Sequence, residues 1–236
     1  MNEWRSQQGR DRAENRDAGG IHIGSNQTVA VVVDAAERGL RGVDYAIGWV
    51  RQLLEAAQTD GALTPDGFVQ AMRRAHGAQR DAGFLHEVAA YAVLVIDSEK
   101  HSSWALSCGD CRIGVLAEEG VVTWLTPVHT GANPLGQPFM IEHARMDARH
   151  LLTRRLRVKR FDEPALTMLS DVQARSWLLA TDGYWVNRLE SPNQEGKPED
   201  DASVLIFTPP CRKIEQKIDC INFCTNIAAT IEASGI

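Results

Sequence analysis

The chain has 236 residues, 44% of them apolar and 24% charged, with a formal net charge of -6. That length suits one large domain or two small ones, and the apolar share is enough to bury a sizeable core. The acidic balance gives no electrostatic case for nucleic acid as the main partner, and no apolar run approaches the ~20 residues that span a bilayer. Five unevenly spread cysteines do not read as a disulfide framework, so a cytoplasmic protein is the expectation.

In chain order, the first twenty residues are rich in Arg, Asp, Glu, Gln and Asn, and composition alone reads them as a solvated tail. Residues 28–33 follow as a strand, β-branched except at Ala30, with the continuous apolarity of an element buried on both faces. Val43, Ala46, Ile47, Val50, Leu53, Leu54 and Ala57 fall on one helical face. A second helix starts at Thr64-Pro65-Asp66 and runs through Phe68, Val69 and Met72 to Ala78. Runs 88–97, 104–108, 112–117 and 121–125 are short, closely spaced and separated by turn residues, as in an antiparallel meander. Residues 140–160 carry Arg145, Arg149, Arg154, Arg155, Arg157, Lys159 and Arg160 and begin as a helix. They form either a solvated face or a surface for phosphate or an acidic peptide. A polar loop covers 191–201, and isoleucines between 214 and 231 predict a last helix packing on a sheet. Strands and helices alternate in blocks, which favours an α+β layered sandwich over a parallel doubly wound sheet.

Four of the apolar runs carry aspartate at one end. Run 28–33 leads into Asp34, 104–108 into Gly109-Asp110 and 177–181 into Asp182-Gly183, while 203–207 is entered from Asp200-Asp201. In antiparallel sheets the end of one strand lies beside the start of its neighbour, so these carboxylates can meet on one edge. Clustered carboxylates persist when cations neutralise them, and all-oxygen ligands suit hard divalent ions such as Mg²⁺ or Mn²⁺.

The order and spacing of these residues resemble the metal-dependent type 2C (PPM) Ser/Thr protein phosphatases, as a divergent bacterial-type member. Arg12 precedes Asn15-Arg16-Asp17, where the family has an early Arg and an Asn/Glu-x-Asp element. Val31-Val32-Val33-Asp34-Ala35 stands for its strand into Asp-Gly, and Gly109-Asp110-Cys111-Arg112 for its Gly-Asp-Ser-Arg turn. Leu125-Thr126-Pro127-Val128-His129, Thr181-Asp182-Gly183-Tyr184-Trp185 and Asp200-Asp201-Ala202-Ser203 follow in the family's order.

The resemblance implies a four-layer αββα sandwich, two antiparallel sheets with helices on both outer faces. It assigns residues 1–210 to the catalytic domain and 211–236 to a C-terminal helix packing on it. It also implies two Mn²⁺ or Mg²⁺ ions, with a third, weaker position. Asp34 would bridge the pair, aided by the Ala35 carbonyl. Asp182 and Asp200 would hold one ion, Asp17 would act through water, and Asp110 with Asp182 would serve the third position. Arg12 would grip the phosphate, and a hydroxide bridging the ions would hydrolyse phosphoserine or phosphothreonine in a protein, opposing a kinase. A monomer with neither membrane nor nucleic acid as partner is implied as well.

The chain departs from the family in the loop after Asp34, which reads Ala35-Ala36-Glu37-Arg38-Gly39 instead of being Gly-rich. Ala36 stands where some members place a His that protonates the leaving group. Arg16 replaces a common Glu, and Val128 the Asp before His129. The alternative is therefore a weak or inactive relative that binds a phosphoprotein or kinase. Cys108 and Cys111 also form a Cys-x-x-Cys element, readable as a redox pair or as half of a zinc site with Cys220 and Cys224. His129 reads as structural, the tryptophans beside strands as core, and no phosphate-binding Gly-rich loop of the nucleotide type is present.

Overall fold

The computed structural model describes residues 2–58, 63–118, 120–172, 174–190, 197–218 and 221–227. The chain opens with β1 (Glu3–Gln7), β2 (Asp17–Ile23) and β3 (Gln27–Ala35), followed by α1 (Gly42–Ala56) and α2 (Pro65–Asp81). Strands β4 (Ala89–Asp97), β5 (Ser102–Cys108), β6 (Arg112–Leu116) and β7 (Val122–Trp124) come next, then the one-turn α3 (Ile141–Ala144) and a 3-10 turn at Asp147–His150. The remainder is β8 (Ala165–Met168), β9 (Ser176–Ala180), α4 (Asp182–Glu190), β10 (Ala202–Phe207), β11 (Glu215–Ile218) and β12 (Phe223–Ile227).

Two six-stranded sheets result, ordered β11-β1-β10-β9-β6-β7 and β12-β2-β3-β4-β5-β8. Period-two alternation sorts each strand's side chains between two cores. Val29, Val31 and Val33 of β3 pack against Tyr45, Trp49, Val50 and Leu53 of α1 and Phe68 and Met72 of α2. Ala30 and Val32 face the other sheet, where they meet Ile113, Leu179 and Leu205. On the far side, Leu178, Val204 and Ile206 pack against Trp185 and Val186 of α4. The layers are therefore helix, sheet, sheet, helix. Each fully buried large side chain among them stabilises the fold by roughly 1.5–3 kcal/mol, so the interior alternation of β3 and β4 dictates which face goes where. Helix α2 starts as its Thr64-Pro65 signal predicts, with the Thr64 hydroxyl accepting from the Gly67 N–H at 3.2 Å.

Three expectations are corrected, and a fourth is met only at its start. The polar N-terminus is two strands rather than a tail: Trp4 is fully buried, stacks on Phe223 at 5.1 Å and donates its indole N–H to Asn222. The four central strands are not one meander, because β4 and β5 pair in one sheet while β6 and β7 belong to the other. The basic stretch begins as a helix, as expected, but for a single turn at α3, and beyond residue 150 it runs through bends, turns and two isolated bridges. In place of a C-terminal helix over 211–236 stand β11, parallel to β1, and β12, parallel to β2. Both sheets are thereby mixed, not purely antiparallel. Residues 219–220 and 228–236 of that segment, Cys220 included, lie outside the described residues. Among the described residues no helix is long and apolar enough to cross a membrane.

Candidate active site

The alternation that fills the space between the sheets also aims the acidic side chains into it. Asp34 follows Ala30 and Val32 on the inter-sheet face of β3, and Asp17 stands directly opposite it in the β2–β3 ladder. Asp110 sits in the crossover from β5 to β6. Gly109 before it has φ +94, and a Cβ there would run into Ala90, so only glycine makes this turn. The Trp185 indole N–H donates to the Asp110 carbonyl at 2.8 Å and anchors the turn. Asp182 opens α4, and the adjacent Gly183 lets the Asp201 carbonyl approach where a Cβ would collide.

Asp34, Asp110, Asp182 and Asp200 line one cavity of about 200 Å³ together with Arg12 and Glu37. Ala35, Ala36, His150 and Leu152 complete much of its wall. Asp17 lies behind it, 1% exposed, with Oδ2 accepting from the Thr181 hydroxyl at 2.9 Å and Oδ1 without any partner. Asp201 has a different job. It accepts from the backbone N–H groups of Gly9 and Arg16, both at 2.8 Å, and so pins the loop that carries Arg12.

Burial raises the pKa of Asp17, Asp34, Asp110 and Asp182, and repulsion from neighbouring carboxylates raises each further. Asp34 and Asp182 line the same cavity, and beyond the effect of burial the charge of Asp182 raises the pKa of Asp34 across that space. The Arg149 guanidinium, 3.4 Å from Asp182, is the basic group on that side. Arg12 donates from Nε to Asp200 at 2.7 Å and from Nη1 to Glu37, and these bonds, the Asp200 one foremost, strengthen its hold on its proton.

These donors fit a hard divalent cation. The set is all oxygen, and among the described residues one buried carboxylate oxygen, Oδ1 of Asp17, has no hydrogen-bond partner. Among the described residues, no three His, Cys, Asp or Glu groups are already gathered as a closed metal site.

Of the expected catalytic and metal-holding residues, Arg12, Asp34, Ala35, Asp110, Asp182 and Asp200 line one cavity, and Asp17 stands beside Asp34 behind it. Glu37 as the partner of Arg12, Arg149 beside Asp182, and His150 were not foreseen. Glu37 stood out only as a break in a Gly-rich loop, and Arg149 and His150 gave no signal beyond the basic run. His129 is buried, its Nδ1 3.1 Å from the Gly109 carbonyl, and burial lowers its pKa to about 4, in keeping with a structural role. Cys108 faces the helix-side core and Cys111 the inter-sheet core, and burial pushes both thiols up, Cys108 to about 12. Two thiols that face different cores do not meet as a redox pair.

No protein-family model matches the chain, and no curated protein matches it. Solved structures do. A bacterial serine phosphatase superposes with a TM-score of 0.69 at 17% identity, covering 90% of this chain and 99% of its own. The PPM Ser-Thr phosphatase MsPP from Mycobacterium smegmatis, solved with cacodylate, gives 0.68 at 19% identity, covering 87% and 97%. The Mycobacterium tuberculosis serine/threonine phosphatase PstP/Ppp gives 0.68 at 20% identity with the same coverage, 87% and 97%. The architecture is therefore an α+β, four-layer sandwich, and its fold is that of the bacterial PPM-type phosphatases.

Proposed function

We propose that the protein is a metal-dependent phosphoprotein phosphatase acting on phosphoserine and phosphothreonine, a cytoplasmic monomer that opposes a Ser/Thr kinase. One observation carries this reading: aspartates from separate strand ends and loops converge on a cavity that also holds an arginine. Asp34 with the Ala35 carbonyl, Asp182 and Asp200 would hold two Mn²⁺ or Mg²⁺ ions, Asp17 would act through water, and Asp110 would serve a third position with Asp182. Such ions neutralise the carboxylates, lower the pKa of water and stabilise the oxygens of an in-line displacement.

The chain's own groups do the rest. Arg12 binds the phosphate through parallel N–H donors, exchanging a carboxylate partner for a phosphoryl oxygen as it does so. Thr181 fixes the rotamer of Asp17 through its hydroxyl. No serine, threonine or cysteine is among the residues lining the cavity, so the attack falls to water. His150 is on the cavity wall and stands ready to protonate the departing alkoxide, a task Ala36 cannot perform.

A binding-only reading has one contact in its favour, since Glu37 occupies Arg12. Against it, the cavity stays open beside that contact, and Arg38 turns away into a neighbouring groove. Hydrolysis of para-nitrophenyl phosphate and a phosphothreonine peptide with Mn²⁺, with and without EDTA, separates the two. Manganese-dependent turnover lost in Asp34→Asn and Asp182→Asn supports catalysis; metal binding without turnover supports a binding module.

A further inference from the structure

A second cavity, about 330 Å³, adjoins the first, and its wall is cationic. Residues 155–159 read Arg-Leu-Arg-Val-Lys, and Leu156 and Val158 are buried in the helix-side core. Leu156 is also tied to Ala89 by reciprocal backbone hydrogen bonds of 2.7 and 2.9 Å, which hold this stretch extended. Alternation then turns Arg155 and Arg157, on either side of Leu156, to the opposite face, and the turn at 158–159 carries Lys159 after them. All three line the cavity, with Arg38, His86 and the apolar side chains of Leu85 and Val88 beside them.

The charge there is largely uncompensated. Arg157 lies 3.5 Å from Asp162, whereas Arg38, Arg155 and Lys159 make no ion pair among the described residues. The one carboxylate in the wall, Glu87, is buried and accepts from the Arg41 N–H at 2.9 Å. Concentrating free cations in one groove of a chain whose net charge is -6 creates a local field that attracts anionic ligands.

The two cavities share two backbone walls. Loop 36–38 contributes Ala36 and Glu37 to the aspartate cavity and Arg38 to the groove. Segment 150–159 contributes His150 and Leu152 to the first, then Arg155, Arg157 and Lys159 to the second. A peptide leaving the aspartate cavity along either wall reaches the cations.

We propose that this groove docks acidic residues flanking the phosphorylated Ser or Thr, so that the substrates are phosphoproteins whose phosphosites lie in acidic sequence. This role rests on the phosphatase reading and sharpens it. Charge pairing at the groove acts on substrate capture, seen in KM and salt dependence, and not on the chemical step.

The test compares wild type with Arg155→Glu/Lys159→Glu, and with Arg155→Ala/Lys159→Ala as a milder pair, since both residues are at the surface. Substrates are phosphothreonine peptides with glutamates before the phosphosite, after it, or replaced by alanines, together with para-nitrophenyl phosphate. Charge reversal is expected to raise KM about tenfold for an acidic peptide. The alanine peptide and para-nitrophenyl phosphate should change by less than about twofold, and the contrast should fade near ~0.5 M salt. If wild type and variants treat acidic and alanine peptides alike while para-nitrophenyl phosphate is turned over, the groove has no docking role and the phosphatase reading stands.

If wild type hydrolyses nothing with Mn²⁺, the phosphatase reading fails, and fluorescence anisotropy of the labelled acidic phosphopeptide decides the groove. Binding that charge reversal abolishes keeps it as an acidic-peptide site; no wild-type binding overturns it. A single-stranded RNA that outcompetes the peptide and loses binding in the same variants would reassign the groove to nucleic acid, which also overturns the proposal.

Discussion

Asp34 and Asp200 line the same cavity but are held there by opposite means. Asp34 is fixed by the ladder, paired with Asp17 on one side and Ala90 on the other, at the end of a strand whose valines are fully buried. Asp200 precedes its strand, keeps about a third of its side chain exposed (36%), and is held by an ion pair to Arg12. The sheet thus places one carboxylate at the cost of repulsion it cannot relieve, while the loop places the other in a contact that can be exchanged. A carboxylate fixed by the sheet stands beside one held through a partly exposed ion pair.

The largest effect should come from breaking the rigid half. On the proposed reading, Asp34→Asn is expected to lower manganese-dependent kcat/KM roughly 10³-fold, because it removes a carboxylate charge that would hold the metal. In EDTA the same substitution should stabilise the fold. The native Asp34 pKa lies above its unfolded value of about 3.9, so wild type binds more protons folded than unfolded and loses stability as pH rises through the native value. The neutral amide has no such loss. The margin in Tm between Asp34→Asn and wild type should therefore be near zero around pH 4 and widen toward pH 7.5, as calorimetry in EDTA would read.

Breaking the exchangeable half acts on substrate instead. Arg12→Ala should cost roughly 10²-fold in kcat/KM, with Mn²⁺ affinity changed far less, since on the proposed reading the guanidinium would meet the phosphate and a cation would not bind a cationic side chain. His150→Gln sharpens the division of labour. It should lower kcat about tenfold on phosphothreonine peptide and leave para-nitrophenyl phosphate unaffected, because nitrophenolate departs without a proton. Smallest is Glu37→Ala, which frees one donor of Arg12 and should lower KM for para-nitrophenyl phosphate about threefold. A rise in KM would mean that Glu37 orients Arg12 rather than competing for it.

The rigid half of the site was legible in the sequence and much of the exchangeable half was not. An apolar strand with aspartate at one end is a local pattern, and four of them in antiparallel pairing can bring Asp34, Asp110, Asp182 and Asp200 to one edge. The Arg12–Glu37 contact joins two loops, and loop approach has no periodic signature. The same distinction governs the fold. Helices α1 and α2 follow from their own side-chain spacing, whereas β1 and β2 look like a polar tail because their strength comes from partners far along the chain, β10, β11 and β12. The C-terminal isoleucines mimic a helical face for that reason too. Ile221 is 92% exposed and Ile214 buried, a split that a single packed helix face would not give. In the basic stretch, the buried Leu156 between Arg155 and Arg157 sets the direction of those two side chains, a local signal that a run of cations masks.

The most direct measurement is a manganese titration of EDTA-stripped protein, with heat of binding and hydrolysis of para-nitrophenyl phosphate followed on the same samples, for wild type and Asp34→Asn. Binding and activity should rise with one midpoint in wild type, and both should be lost in the variant. Hydrolysis that persists in EDTA, or manganese binding unchanged by Asp34→Asn, would contradict a carboxylate-held metal centre at the edge of these sheets.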